Sequence, residues 1–171
     1  MRSLQRYDRR AATYAEKART NMPLQLSHLF VRRSAFIAAT PSRVWKEFES
    51  MERLCGWLNL GHHIEVFEPR LGGTVRMQVT IDGVVHHFGG TVLACEPEHE
   101  LSFTSQWDGV FAWPQPTLWT IRLTAFYDGT RAEIFHHGFE RFGADAGAQL
   151  ESYESGWDNK HLIALRRIVE N

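Results

Sequence analysis

Leu150-Glu151-Ser152-Tyr153-Glu154-Ser155-Gly156-Trp157 is the stretch that decides the fold. It lies in a segment, Ala144 to Glu170, whose apolar residues Leu150, Tyr153, Trp157, Ala164, Leu165 and Ile168 recur with helical period. About seven strand-like stretches precede it, the last ending in His137-Gly138. A helix that follows an almost all-β run covers an open sheet. Gly156 leaves a place where something can approach the helix backbone closely, which points to a hollow between helix and sheet.

Working back from that helix, the strands are legible one by one. Thr117 to Phe126 alternates cleanly: Thr117, Trp119, Ile121 and Leu123 share one face, and Leu118, Thr120, Arg122 and Thr124 the other. Thr130 to Phe139 follows a hairpin signal at Asp128-Gly129. Upstream lie Glu100 to Trp107, Val84 to Ala94, Thr74 to Ile81 and His63 to Glu68. Asp82-Gly83 marks the turn between the third and fourth strands, and Gly89-Gly90 a bulge or bend within the fourth. Phe30 to Ile37 is the first strand. Thr40-Pro41 opens a helix carrying Val44, Trp45 and Phe48, and Met51, Leu54, Cys55 and Leu58 mark a second.

The expected order is β-αα-β6-α. This is an α+β arrangement, a curved antiparallel sheet of about seven strands with a long C-terminal helix across its concave face. Residues 28–171 form this domain. Residues 1–27 form an N-terminal extension, with Tyr7, Ala11, Tyr14, Ala15 and Ala18 at helical spacing. It reads equally as a weakly docked tail or as a segment that packs on the domain or on a second copy, which makes a homodimer an open expectation.

Bulk composition excludes several function classes. A chain of 171 residues fits one domain plus an extension and buries a core without staples. Net charge is −1, so there is no electrostatic footprint for nucleic acid or for an anionic membrane. No apolar run reaches the length of a membrane span, and Met1-Arg2-Ser3-Leu4-Gln5-Arg6 lacks the apolar region of a signal peptide. Cys55 and Cys95 have no metal or redox spacing and read as reduced thiols of a cytoplasmic protein.

The ordered pieces resemble the START-like superfamily, also known as the SRPBCC, helix-grip or birch-pollen-allergen fold. Within it they are similar to the group of the heat-shock-protein-90 ATPase activator homologue C-terminal domain. Ile37-Ala38-Ala39-Thr40-Pro41-Ser42-Arg43-Val44-Trp45 resembles the family's opening motif, and Leu54-Cys55-Gly56-Trp57-Leu58 its short-helix segment. Pro69-Arg70-Leu71-Gly72-Gly73, Gly90-Thr91-Val92-Leu93-Ala94-Cys95-Glu96-Pro97 and Leu101-Ser102-Phe103-Thr104 resemble its central turn and strands. Asp128-Gly129-Thr130-Arg131-Ala132-Glu133, His137-Gly138-Phe139 and Gly156-Trp157 complete the set. The resemblance covers all but the extension. It implies the helix-grip fold and a cavity between sheet and helix. It names no single ligand, because one fold hosts many functions.

The candidate site is built from aromatics, which make up 12% of the chain. Trp45, Trp57, Trp107, Phe111, Trp113, Trp119, Phe139 and Trp157 come from helices, strands and the loop Asp108 to Pro116, and in this fold those elements converge. They are either plugs of a solid core or walls of an apolar pocket. Arg76, Gln78, His86, His137 and Tyr153 are the polar groups that would orient a ligand there. No nucleophile elbow, metal spacing or phosphate loop occurs, so no catalytic residue, metal or cofactor is expected. The three adjacent histidine pairs do not alter this, because neighbours on a strand face opposite ways.

Three functions stay open. The first is binding of a small hydrophobic molecule in the cavity. The second is a cyclase-, aromatase- or hydrolase-like enzyme that uses His86, His137 or Tyr153. The third is a co-chaperone-like interaction module.

Overall fold

The computed structural model describes residues 29–157 and 159–171. The expected N-terminal helix lies outside the described residues. Seven strands form one antiparallel sheet: β1 (Phe30–Ile37), β2 (His63–Phe67), β3 (Thr74–Ile81), β4 (Val84–Glu96), β5 (Glu100–Trp107), β6 (Thr117–Phe126) and β7 (Gly129–His137). Their spatial order is β1-β7-β6-β5-β4-β3-β2. From β2 to β7 the chain meanders, each strand pairing with the next. The first strand instead lies beside the last, and the connection from β1 to β2 carries the chain from one sheet edge to the other.

That connection is helical. Helix α1 (Pro41–Trp45) starts at Thr40, whose Oγ1 accepts from the Arg43 N–H, and Pro41 occupies a position with no helical partner to lose. A turn of 3-10 helix follows at Lys46–Phe48, and helix α2 (Met51–Leu58) is capped by Ser50 in the same way. Glu47 is buried here, with Arg43 at 2.7 Å and Arg53 at 3.4 Å, while its carbonyl accepts the Trp57 indole N–H. A buried carboxylate persists only with such partners.

The expected single C-terminal helix is divided into α3 (Ala146–Gly156) and α4 (Lys160–Glu170). The division falls next to Gly156, and Trp157 has left helical geometry (φ −88°, ψ 69°). Helix α4 packs against α2 and β1, and its end is tied to the β1–α1 junction. There the Glu170 carboxylate accepts from the Ala38 N–H at 2.8 Å. Helix α3 lies over the sheet as a separate segment, with its Glu154 carbonyl accepting from Arg33 of β1 at 3.0 Å.

The faces of β6 follow the alternation. Thr117, Trp119, Ile121 and Leu123 are buried on the inner face, while Arg122 is exposed on the outer one. Thr120 on the outer face is buried as well, where it accepts from the Ser102 hydroxyl at 2.9 Å. Two turn details differ from expectation. Phe126 pairs with Gly129, so the tight turn is Tyr127-Asp128, with Tyr127 at φ 51°. Gly129 belongs to β7, where close packing requires it: an added Cβ would lie 2.4 Å from the Ile37 carbonyl oxygen. In β4 the register runs unbroken through Gly89-Gly90 and slips instead between Val92 and Ala94.

Candidate functional site

A cavity of about 750 Å³ lies between α3 and the inner faces of β3 to β6, open to solvent on one side. Its back wall is Trp119 on β6 and Phe88 on β4, with Trp107 from the end of β5. Its upper wall is α3, through Tyr153 and Gly156, together with Trp157 at the helix end. Its roof is the loop after β5, whose apolar content has a use here: Phe111, Trp113 and Pro114 face the space. The roof is tied down at both ends. Gln106 Nε2 donates to the Trp113 carbonyl at 2.6 Å, and Arg141 Nη1 to the Pro116 carbonyl at 2.6 Å.

Two indole hydrogen bonds hold α3 to the sheet. Trp107 Nε1 donates to Tyr153 Oη at 2.6 Å. Trp157 Nε1 donates to His136 Nδ1 at 3.0 Å. The second bond settles the tautomer of His136. With Nδ1 accepting, its proton sits on Nε2, which donates to Thr117 Oγ1 at 2.8 Å. Thr117 in turn donates to the Ser105 carbonyl at 3.2 Å. Burial holds the His136 pKa well below the usual imidazole range, so the ring stays neutral and the relay intact.

Trp119 packs edge-on against Trp157, with ring centroids 4.5 Å apart, and lies near Phe103, Phe88 and His136. Trp157 is thus part of the wall, and the cavity exists beside it. A Cβ built on Gly156 meets nothing within 4 Å, so the space over this glycine is open.

The predicted site residues divide into two groups. Trp107, Phe111, Trp113, Trp119, Tyr153 and Trp157 are brought together around the cavity. Trp45 and Trp57 are not, because they pack on either side of Phe48 as core beneath the helix pair. Arg76 and Gln78 lie on the opposite face of β3 from Val79 and Ile81, which do line the cavity. Arg76 there pairs with Asp108. His86 is on the cavity-side face of β4, opposite Val79, but it meets the Phe111 ring at 4.7 Å and a tilt of 58° and does not line the cavity. His137 stacks on Phe135 on the outer face, and the inward ring of that pair is His136.

Sequence reasoning missed His62, His161, Phe88 and Phe142, all of which line the cavity. A signal existed for the first two. His62 is two residues before buried Ile64, so it shares that inner face. His161 is four residues after Trp157, and their rings lie 5.3 Å apart. His62 and His161 are 5.9 Å apart between ring centroids. Burial first, then the neighbouring His161 and Lys160, push the His62 pKa down to about 4. Burial pushes the Tyr153 hydroxyl above its ordinary range. Both groups are therefore neutral hydrogen-bonding groups near pH 7.

Comparison with known proteins places this geometry in context. Residues 38–170 match the model of the family described as Activator of Hsp90 ATPase homolog 1-like protein. No curated protein matches the chain. Among solved structures, a protein from Chromobacterium violaceum is 25% identical with a TM-score of 0.64, over 83% of this chain and 97% of its own. One from Rhodobacter sphaeroides is 26% identical with a TM-score of 0.59, over 82% of this chain and 92% of its own. DynU16, from the dynemicin biosynthetic locus, is 21% identical with a TM-score of 0.62, over 83% of this chain and 47% of its own. The chain thus spans about half of DynU16, and that likeness speaks for the fold alone. Among the described residues, no helix is long and apolar enough to cross a membrane.

Proposed function

We propose that this chain, which belongs to the Activator of Hsp90 ATPase homolog 1-like family of the START-like superfamily, binds a small hydrophobic molecule between its sheet and helix α3. The observation that carries this reading is the cavity of about 750 Å³ walled by Phe88, Trp107, Trp113, Trp119, Tyr153 and Trp157. Pockets that enclose organic ligands span roughly 300–1,000 Å³ and are mainly apolar with a few polar groups. Aromatic walls favour a flat, unsaturated ligand, which presents both face and edge to the rings.

The titratable groups on the wall favour binding over acid–base chemistry. A general base works best with a pKa near the operating pH. His62 is held near 4 and the Tyr153 hydroxyl is raised, so neither is poised to exchange a proton at neutrality. Tyr153 still supports an enzymatic alternative, since it faces the cavity and its pKa is displaced; there it would donate a hydrogen bond and orient a substrate. His86 and His137 do not line the cavity.

Occlusion tests the binding reading. Gly156 lines the cavity and a Cβ added there meets nothing within 4 Å, so Gly156→Leu is the substitution to narrow it. The wild-type protein should take up an environment-sensitive hydrophobic dye, and the variant should lose at least about tenfold in affinity while keeping its stability. Equal uptake by both proteins would put the dye elsewhere and reject the cavity as the site.

A further inference from the structure

Helix α3 turns a hydrogen-bonding stripe toward the cavity, not an apolar one. Residues three or four apart share a helix face, so α3 carries three stripes. Ala146, Leu150, Tyr153 and Trp157 form the first, and it packs on the core. Gly147, Glu151 and Glu154 form the second, which is exposed and does not border the cavity. Asp145, Gln149, Ser152 and Gly156 form the third, and all four line the cavity across from the sheet aromatics Phe88, Trp107 and Trp119. Within the helix the carboxylates thus stand on the stripe given wholly to water, whereas the cavity stripe carries an amide and a hydroxyl. Gln149 is half-buried and makes no hydrogen bond among the described residues, and neither of its amide atoms is closed off from solvent. An accessible carboxamide on the wall of a concave site, with no partner among those residues, is available to a ligand there.

We infer that Gln149 recognises a hydroxyl or carbonyl group on one edge of a flat aromatic ligand, which lies with its ring body against the sheet and its polar edge against α3. The inference rests on the cavity reading above and adds the ligand's polarity and orientation to it. A carboxamide offers two N–H donors and an acceptor oxygen, so it pairs with a hydroxyl in either sense and with a carbonyl as donor. Pockets for organic ligands divide the work in this way: apolar walls supply most of the contact, and a few polar groups fix orientation. A ligand with no polar edge would cover the amide with hydrocarbon and cost it its bonds to water, which selects against plain hydrocarbons. Gly156 lies two turns along the same stripe with open space over it, so a ligand held at Gln149 has room to extend along the helix.

Two fluorescent ligands of nearly equal size test this: 9-(hydroxymethyl)anthracene and 9-ethylanthracene, which differ by a hydroxyl in place of a methyl group. The quantity to read is the ratio of their affinities, hydroxyl over ethyl, compared between protein variants. The difference in hydration of the two ligands is the same for every variant and cancels. Gln149→Met and Gln149→Ala remove the amide with residues that favour a helix. Each should lower the ratio about five- to tenfold from its wild-type value, the scale of one net hydrogen bond. Glu151→Ala, on the stripe that faces water, should leave the ratio within about twofold. A ratio that holds in either Gln149 variant, or that falls as far in Glu151→Ala, overturns the role of the amide and leaves the cavity reading standing. A wild-type protein that takes up only 9-ethylanthracene does the same. Binding of neither ligand by the wild type removes the cavity reading and the inference together. Two different substitutions at one half-buried position keep a folding failure of either from shielding the inference.

Discussion

Trp157 donates its indole N–H to His136 across the space between helix α3 and strand β7, at 3.0 Å. That bond fixes the histidine tautomer and links the helix to Thr117 and the Ser105 carbonyl through an unbroken chain of donors and acceptors. Both residues are almost fully buried, so each end of the bond depends on the other for satisfaction. The relay sets the height of the helix above the sheet, and thereby the depth of the cavity.

His136→Leu strands the Trp157 N–H and removes the donor to Thr117 Oγ1, which keeps only its own bond to the Ser105 carbonyl. It should destabilise the protein by about 1–3 kcal/mol, seen as a lower urea midpoint with unchanged m-value. Trp157→Phe removes the donor. The double variant should cost clearly less than the sum of the two single changes, because the bond is lost only once. Simple additivity would mean that the bond contributes nothing.

Acid should weaken the fold through its buried histidines. The folded-state pKa of His62 lies near 4 against an unfolded value of 6.5, so the unfolded chain binds more protons between those limits. The stabilisation is complete above pH 6.5 and falls as the pH drops toward 4, for a total on the order of 3 kcal/mol. His136, also depressed by burial, acts in the same sense and continues to lower pH. Denaturation at a series of pH values should show this slope, and His62→Gln should flatten the part between pH 6.5 and 4. A variant whose slope matches the wild type would rule out His62 as the source.

Two glycines should respond in opposite ways to alanine. At Gly129 a new methyl group meets the Ile37 carbonyl oxygen at 2.4 Å and the Phe36 ring at 2.6 Å, both tied into the β1–β7 pairing. Strain there should cost about 1–3 kcal/mol. Gly156 meets nothing within 4 Å and is in the helical part of the chain, so Gly156→Ala should be neutral or slightly stabilising. Thermal denaturation of the two variants separates them directly.

Local signals were enough for the sheet and helices. Alternation in Thr117 to Phe126, the Thr40-Pro41 and Ser50 caps, and the Asp82-Gly83 turn are all written in residues close to one another, and each element formed where those residues lie. The aromatics of the cavity were partly legible. Trp107, Phe111, Trp113, Trp119, Tyr153 and Trp157 converge as the fold requires. Trp45 and Trp57 are chemically indistinguishable from them, yet they fill the core beside Phe48.

The chain by itself determined which residues pair as strands and which stripe of the last helical segment faces inward, because period and turn chemistry act over a few residues. Only the tertiary structure decided that Gly156-Trp157 ends one helix rather than lying inside a longer one, and that Trp157 is wall rather than filling. It also decided that His136 rather than His137 faces the interior, that His62 reaches the cavity, and that His86, on the cavity face of β4, stops against Phe111. Those outcomes depend on the strand on which each pair sits, on where a slip such as the one between Val92 and Ala94 turns a face over, and on how far the helix stands from the sheet. That distance is set by the Trp157–His136 and Trp107–Tyr153 hydrogen bonds, between residues far apart in the chain. The hollow announced by a small residue on a helix is therefore a property of those two contacts, and Gly156 only keeps it open.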